Sequence, residues 1–278
     1  MEEKLLLPIK VYNAPHGQGP NPWKVIIVLA ELGLPYEIAW IPYGEMKSEP
    51  YTLLNPNGRV PAMVDPNRGG AGGVTLWESG AIINYLIATY DREGRLRYGD
   101  DRLEEKWLLQ SWLMFQMSGQ GPMFGQKVWF THLHIEPNLR TAIDRYGNEA
   151  KRIMGVVEAT LRKQRQKLQA EQQAEETPVW LVGDKCTYAD LAFVPWNTLL
   201  DTVFPRSDAG MTLDLAREFP EYNRWHRNMA ARPAVRGVLA HREECIRTMT
   251  NTSFQVVERQ ADAAKLPEYE PSVGVGGN

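Results

Sequence analysis

Hydrophobic and polar positions change period several times in the first third of the chain. Ile9 to Tyr12 alternates apolar and polar residues, as a half-buried strand does. A loop rich in Gly and Pro follows, from Asn13 to Pro20. The stretch from Asn21 to Gly33 carries both ends of a helix: Asn21 at the N-cap, Pro22 at the first helical position, Gly33 just past the last turn. Tyr36 to Ile41 reads as a second strand, Pro61 to Asp65 as a third, and Val74 to Trp77 as a fourth. Pro66 to Gly73 is a turn, and Ala81 to Tyr90 is an apolar helix. The order βαβ and then ββα predicts a small sheet covered by helices.

Beyond Arg102 the strand signals stop. Helices are predicted over Arg102 to Met117, Leu139 to Glu175, Tyr188 to Leu200, Pro220 to Ala231 and Val235 to Thr250. The composition shifts near Asp91 to Asp101, which marks a linker. The expected organisation is an α/β domain over residues 1–95, an all-helical domain over 102–250, and a weakly ordered tail over 251–278. Arg162 to Glu176 is nearly all polar, as in a solvated helix end that runs into a loop.

A length of 278 residues agrees with two domains at roughly 150 residues each. The net charge of −3 gives no basic excess for nucleic acid or an anionic membrane. The apolar run Val25 to Ala30 is far short of the roughly 20 residues of a membrane span. The opening MEEKLLLPIK lacks the pattern of a secretory signal. Cys186 and Cys245, the only two cysteines, form neither a disulfide framework nor a CxxC pair. The expectation is a reduced, cytoplasmic protein.

Four segments bear on chemistry. In Asn55 to Pro61, a proline opening a strand after a tight turn suits a cis Val60–Pro61 bond, which turns the Val60 backbone outward toward an extended peptide ligand. In Trp77 to Ile82, Ser79 starts a helix and provides an anion site, while Glu78 beside it suits an ammonium. Together they fit the zwitterionic end of an amino acid. A thiol near Asn21 would have its pKa lowered by a helix start, and the Asn amide is a donor to the thiolate. Read alone, each of these three is also an ordinary turn or cap. Thr187 and Asp190 form a capping box ahead of an apolar helix, a structural device.

Taken in order and spacing, these segments resemble a cytosolic glutathione transferase over residues 9 to about 247. The matching motifs are Asn55 to Pro61, Glu78 to Ile82, the Thr187/Asp190 box and Arg232 to Val235. Asn21 to Val25, Ser118 to Gln126, Pro178 to Lys185 and Ala189 to Asn197 bring the match closest to the fungal branch around the yeast nitrogen-regulator prion protein and its bacterial nu-class relatives. The resemblance implies a thioredoxin-like domain, an all-α domain and glutathione as cosubstrate. It implies that Glu78 and Ser79 take the γ-glutamyl end, that Val60 beside cis-Pro61 pairs with the cysteinyl unit, and that Asn21 faces the thiol. Lys47 and Arg59 are the basic candidates for the glycyl carboxylate, and Tyr12 is the runner-up near the sulfur. Met114, Phe115, Met117, Met123, Phe124, Trp129 and Trp196 are the candidate walls for a hydrophobic electrophile. His132, His134 and Glu136 have HxHxE spacing, read here as a surface loop or helix end.

Asn21 has no titratable group, so it stabilises a thiolate without acting as a base. The chemistry expected is conjugation of glutathione to an apolar electrophile, for example in fungal secondary metabolism. The alternatives are cis-trans isomerisation of a conjugated alkene by thiolate addition and elimination, disulfide reduction through bound glutathione, and non-catalytic regulatory binding. The resemblance also implies a homodimer.

Overall fold

The structure is a computed structural model that describes residues 5–136, 139–172 and 174–251. The tail expected over 251–278 lies outside the described residues, apart from Asn251.

Two parallel strands need a crossover, and a buried helix supplies it. β1 (Ile9–Asn13) leads to α1 (Pro20–Leu32), and β2 (Tyr36–Trp40) returns beside β1 with Ile9 opposite Tyr36. α1 is buried continuously from Pro22 to Leu29, which explains why it reads apolar all round. Gly33 ends it in the left-handed region at φ +69°, its N–H reaching the carbonyls of Ala30 and Leu29. The helix begins two residues earlier than the caps predict: Gly19 is the N-cap, and Asn21 lies inside the first turn. Pro20, with its fixed φ, suits the first helical position as well as Pro22 does.

A single turn, α2 (Tyr51–Leu54), precedes β3 (Ala62–Asp65). β3 runs antiparallel to β1, and β4 (Val74–Trp77) antiparallel to β3, giving the order β2-β1-β3-β4. α3 (Ser79–Tyr90) then packs beside α1.

The helical half departs from expectation in three places. α4 (Leu103–Phe115) does not stop near Met117. It passes through a π-helical turn at Gln116–Gln120 into α5 (Gly121–Val128) and a second π-turn at Trp129–Leu133. The glycines there act as packing surfaces rather than breakers: a Cβ on Gly121 or Gly125 would stand 3.6 Å or 3.4 Å from the Trp196 indole. α6 (Arg140–Ala170) follows. Its polar end is not wholly solvated, since Arg165 is buried and donates to the carbonyls of Glu175 and Thr177. The helix predicted over Tyr188 to Leu200 is three short ones, α7 (Tyr188–Leu191), α8 (Val194–Asn197) and α9 (Leu200–Val203). Pro195 has no N–H to continue a helix through this point. α10 (Leu215–Glu218), α11 (Pro220–Ala230) and α12 (Pro233–Asn251) complete the described chain.

The two halves share one core. A single cluster of buried side chains runs from Ile9, Val11 and Trp23 through Leu113 and Phe124 to Phe193, Trp225 and Val238. Thr187 and Asp190 form their capping box, and the buried Asp190 carboxylate also accepts from Leu181 N–H and Trp225 Nε1. No helix among the described residues is long and apolar enough to cross a membrane.

Candidate functional site

A cleft of about 510 Å³ opens between the sheet domain and the helical half. One wall is the turn before β3. The Val60–Pro61 peptide is cis. Asn55 organises this turn: its Oδ1 accepts from Asn57 N–H at 2.9 Å, and its Nδ2 donates to the Arg59 carbonyl at 2.6 Å. Tyr51 Oη donates to the same carbonyl at 2.8 Å. Arg59, Val60 and Pro61 all line the cleft.

The floor is the start of α3. Ser79 is its first residue and is buried, so the first free N–H groups of the helix open toward the cleft beside a hydroxyl. Glu78, just before it, holds φ +68° and ψ 114°. Few non-glycine residues adopt that backbone, and such strain persists where the surroundings over-determine it.

Under Glu78 and Ser79 lies Lys24 of α1, a residue the sequence analysis missed. It is 1% exposed, and its Nζ donates to Gln116 Oε1 at 2.7 Å, with Met117 Sδ at 3.8 Å. Burial pulls its pKa down from 10.5 to about 7, against the opposing pull of the Glu78 charge. Its signal was positional: it follows Asn21 by three residues, so both share one helix face. Gln116 passes the polarity on. Its Nε2 donates to Gln120 Oε1, Gln120 Nε2 donates to Asn197 Oδ1, and Tyr222 Oη donates to the same oxygen.

The far wall belongs to the helical half: Met117 of the π-turn, Pro122 and Gln126 of α5, Trp129 beyond it, and Trp196 of α8. Asn21 faces them across the cleft, and Trp196 Nε1 donates to Asn21 Oδ1 at 3.0 Å.

The structure thus brings together Asn21, Arg59, Val60, Pro61, Glu78, Ser79, Met117, Trp129 and Trp196. Five other candidates do not line the cleft. Lys47 is exposed and donates from Nζ to the Asn57 carbonyl at 3.1 Å. Met114 is 47% exposed on α4. Phe115 sets its ring edge-on to Trp112, 5.5 Å between centroids. Met123 is half-buried outside the lining, and Phe124 is fully buried, edge-on to Trp196. Consecutive positions on one helix point in different directions, so α4 and α5 each send only some of these side chains to the cleft. Tyr12 packs edge-on against Tyr51, away from the lining.

Neither cysteine reaches the cleft. Both are buried, and burial pushes both thiols above their ordinary value. His132 Nε2 contacts the Thr202 carbonyl at 2.8 Å, and His134 contacts the backbone of Glu136. Among the described residues no group of three such side chains is placed to hold a metal ion.

Residues 19–89 match the family described as "Glutathione S-transferase, N-terminal domain", and residues 122–233 match "Glutathione S-transferase, C-terminal domain". The chain is 41% identical to the glutathione S-transferase-like protein tpcF of Aspergillus fumigatus over 84% of this chain and 95% of that one. It is also similar to the solved structure of Ure2p in complex with glutathione, at 37% identity and a TM-score of 0.74, covering 86% of this chain and 95% of the other. A third similarity is to Ure2p5 of Phanerochaete chrysosporium, cocrystallised with 1-(S-glutathionyl)-2,4-dinitrobenzene: 35% identity, TM-score 0.71, 87% and 97% covered.

Proposed function

The chain belongs to the glutathione S-transferase family, in its Ure2-like branch, and we propose that it binds glutathione in this cleft and presents the thiolate to an apolar electrophile. The observation that carries the reading is the convergence of Asn21, Glu78 and the buried start of α3 at Ser79 on one cleft.

Each group has a physical role in the proposal. The Glu78 carboxylate takes the γ-glutamyl ammonium. The Ser79 hydroxyl and the free N–H groups of α3 take the adjacent carboxylate. The Val60 backbone pairs with the cysteinyl unit, and Arg59 takes the glycyl carboxylate. Asn21 donates a hydrogen bond to the sulfur and favours its ionised form, while the thiol proton leaves to solvent because Asn has no base to offer. Met117, Trp129 and Trp196 hold a bulky apolar acceptor, with compounds of fungal secondary metabolism as the class.

In conjugation the thiolate adds to an activated alkene, the π bond breaks, the resulting carbanion takes a proton from solvent and the thioether departs; at an aryl halide the carbon–halogen bond breaks instead and halide leaves. Isomerisation of a conjugated alkene shares the addition and differs in expelling the thiolate afterwards, which regenerates glutathione. Disulfide reduction is the third chemistry this site would serve, since it needs no protein thiol. A cytoplasmic homodimer belongs to the same reading. Leu103, Trp107 and Met114 stand 56%, 60% and 47% exposed along one face of α4, which supports pairing of two copies.

The test is the ultraviolet absorbance of bound glutathione titrated in pH, followed by product analysis with an activated alkene. A thiolate that appears well below the ordinary value of about 8.5 supports an activating enzyme. Binding without ionisation points to the regulatory alternative. Substitution Ser79→Ala should weaken glutathione binding about tenfold or more, the scale of a lost hydrogen bond to a charged group. Unchanged affinity removes Ser79 from the site.

A further inference from the structure

A wall residue of the helical half also reaches the first domain. The Trp196 indole nitrogen donates and never accepts. It donates to Asn21 Oδ1 at 3.0 Å, joining two side chains 175 residues apart in the chain. An amide has an oxygen end and a nitrogen end. Turning the Asn21 amide over would set N–H against N–H, so the indole dictates which end faces it. We propose that Trp196 is a positioning residue for thiol activation: its N–H holds the oxygen of Asn21, so that the Asn21 Nδ2 group is the donor presented to the glutathione sulfur. The inference rests on the glutathione reading above.

The indole is placed to perform this service. It is 7% exposed, and Phe124 meets it edge-on at 6.4 Å between centroids. Gly121 and Gly125, one helical turn apart on α5, offer it a surface without side chains. Its chain neighbour Asn197 is held from the other side by Gln120 Nε2 at 2.7 Å and Tyr222 Oη at 2.5 Å. α8 is therefore pinned on its buried face while Trp196 points to the cleft. The bond has a second effect. Drawing electron density from Oδ1 polarises the amide and strengthens Nδ2–H as a donor, as in any chain of hydrogen bonds.

The test is Trp196→Phe, which keeps an aromatic wall and removes the N–H. The readouts are the pH profile of turnover with glutathione and 1-chloro-2,4-dinitrobenzene, and the ultraviolet titration of the bound thiol. The expected result is a profile moved to higher pH by roughly one unit, hence about tenfold less thiolate on the acid side, with glutathione affinity little changed. The double variant Asn21→Ala/Trp196→Phe should shift no further than Asn21→Ala alone. An unmoved profile with only a raised KM for the electrophile makes the indole a wall and overturns the inference. If Asn21→Ala shifts the profile and Trp196→Phe does not, the inference falls while the role of Asn21 stands. If Asn21→Ala shifts nothing, both fall. Should Trp196→Phe not fold, 3-benzothienylalanine at position 196 serves instead: it keeps the shape of the indole with sulfur in place of the N–H, and the same shift is expected.

Discussion

Arg232, one residue ahead of α12, grips Glu31 in the last turn of α1 with both arms of its guanidinium. Nε meets Oε1 and Nη2 meets Oε2, each at 2.7 Å. Glu31 is 8% exposed at its side chain and Arg232 is 33% exposed. This two-pronged pair ties the crossover helix of the sheet to the far end of the helical half. Arg232→Ala leaves a buried carboxylate unpartnered and should cost about 2–3 kcal/mol, somewhat less than a fully buried pair. Arg232→Lys keeps the charge but loses the fork and should recover only part of that. Urea denaturation of both variants checks the order.

Asp190 gathers four donors on two oxygens, from Leu181, Thr187 twice and Trp225. Asp190→Ala would strand all of them in the core, a loss of at least about 3–4 kcal/mol. Asp190→Asn keeps the shape but turns an N–H toward donors, and should also destabilise strongly. The expected measurement is a large fall in the denaturation midpoint for both. A change within about 0.5 kcal/mol, the scale of an ordinary surface substitution, would contradict the structural role.

Glu78→Gly should act in opposite directions on stability and binding. Glycine reaches φ +68° at lower cost than glutamate does, so the free protein should gain about 1 kcal/mol. The carboxylate assigned to the γ-glutamyl ammonium is lost, so glutathione should bind more weakly. Denaturation of the free protein and calorimetric titration with glutathione measure the two separately.

Lys24 gives stability a pH dependence whose sign follows from its burial. Its pKa is about 7 in the folded chain against 10.5 when unfolded. Between those values the unfolded chain holds a proton that the folded chain has released. Stability therefore rises with pH across the window from about 7 to 10.5, and the full cost of the buried charge is present below it. Lys24→Met should flatten that rise relative to the parent protein. Parallel denaturation series from pH 6.5 to 10 would show whether the slopes differ.

Local signals carried most of the first domain. Gly33, the turn before Pro61 and the alternation of Ile9 to Tyr12 each act over a few residues, and each has its counterpart in β1, α1 and β3. The helical half was harder for two reasons. Gly119, Gly121 and Gly125 are packing positions whose partners lie in α6 and α8, contacts that a residue without a side chain does not announce. The π-turn at Gln116–Gln120 adds a residue to the helical period, so a face extrapolated from α4 points elsewhere along α5. That is why Met117 reaches the cleft and Phe124 enters the core. Lys24 stands just ahead of the apolar run Val25 to Ala30, and its three-residue spacing from Asn21 gains meaning only once the cleft is seen. The bond from Trp196 to Asn21 is purely tertiary, and no spacing announces it.

Arg242 of α12 closes over the loop that introduces α1. Its Nε and Nη2 donate to the carbonyls of Gly17 and Gln18 at 3.3 Å and 3.0 Å, and its Nη1 donates to Thr198 Oγ1 at 2.6 Å. The clamp and the carbonyl of Gly17 are 225 residues apart. On a ribosome, the sheet and α1 emerge long before their clamp is made. The loop that leads to Asn21 thus waits for the last described helix, and the cleft is finished only when that helix has been synthesised.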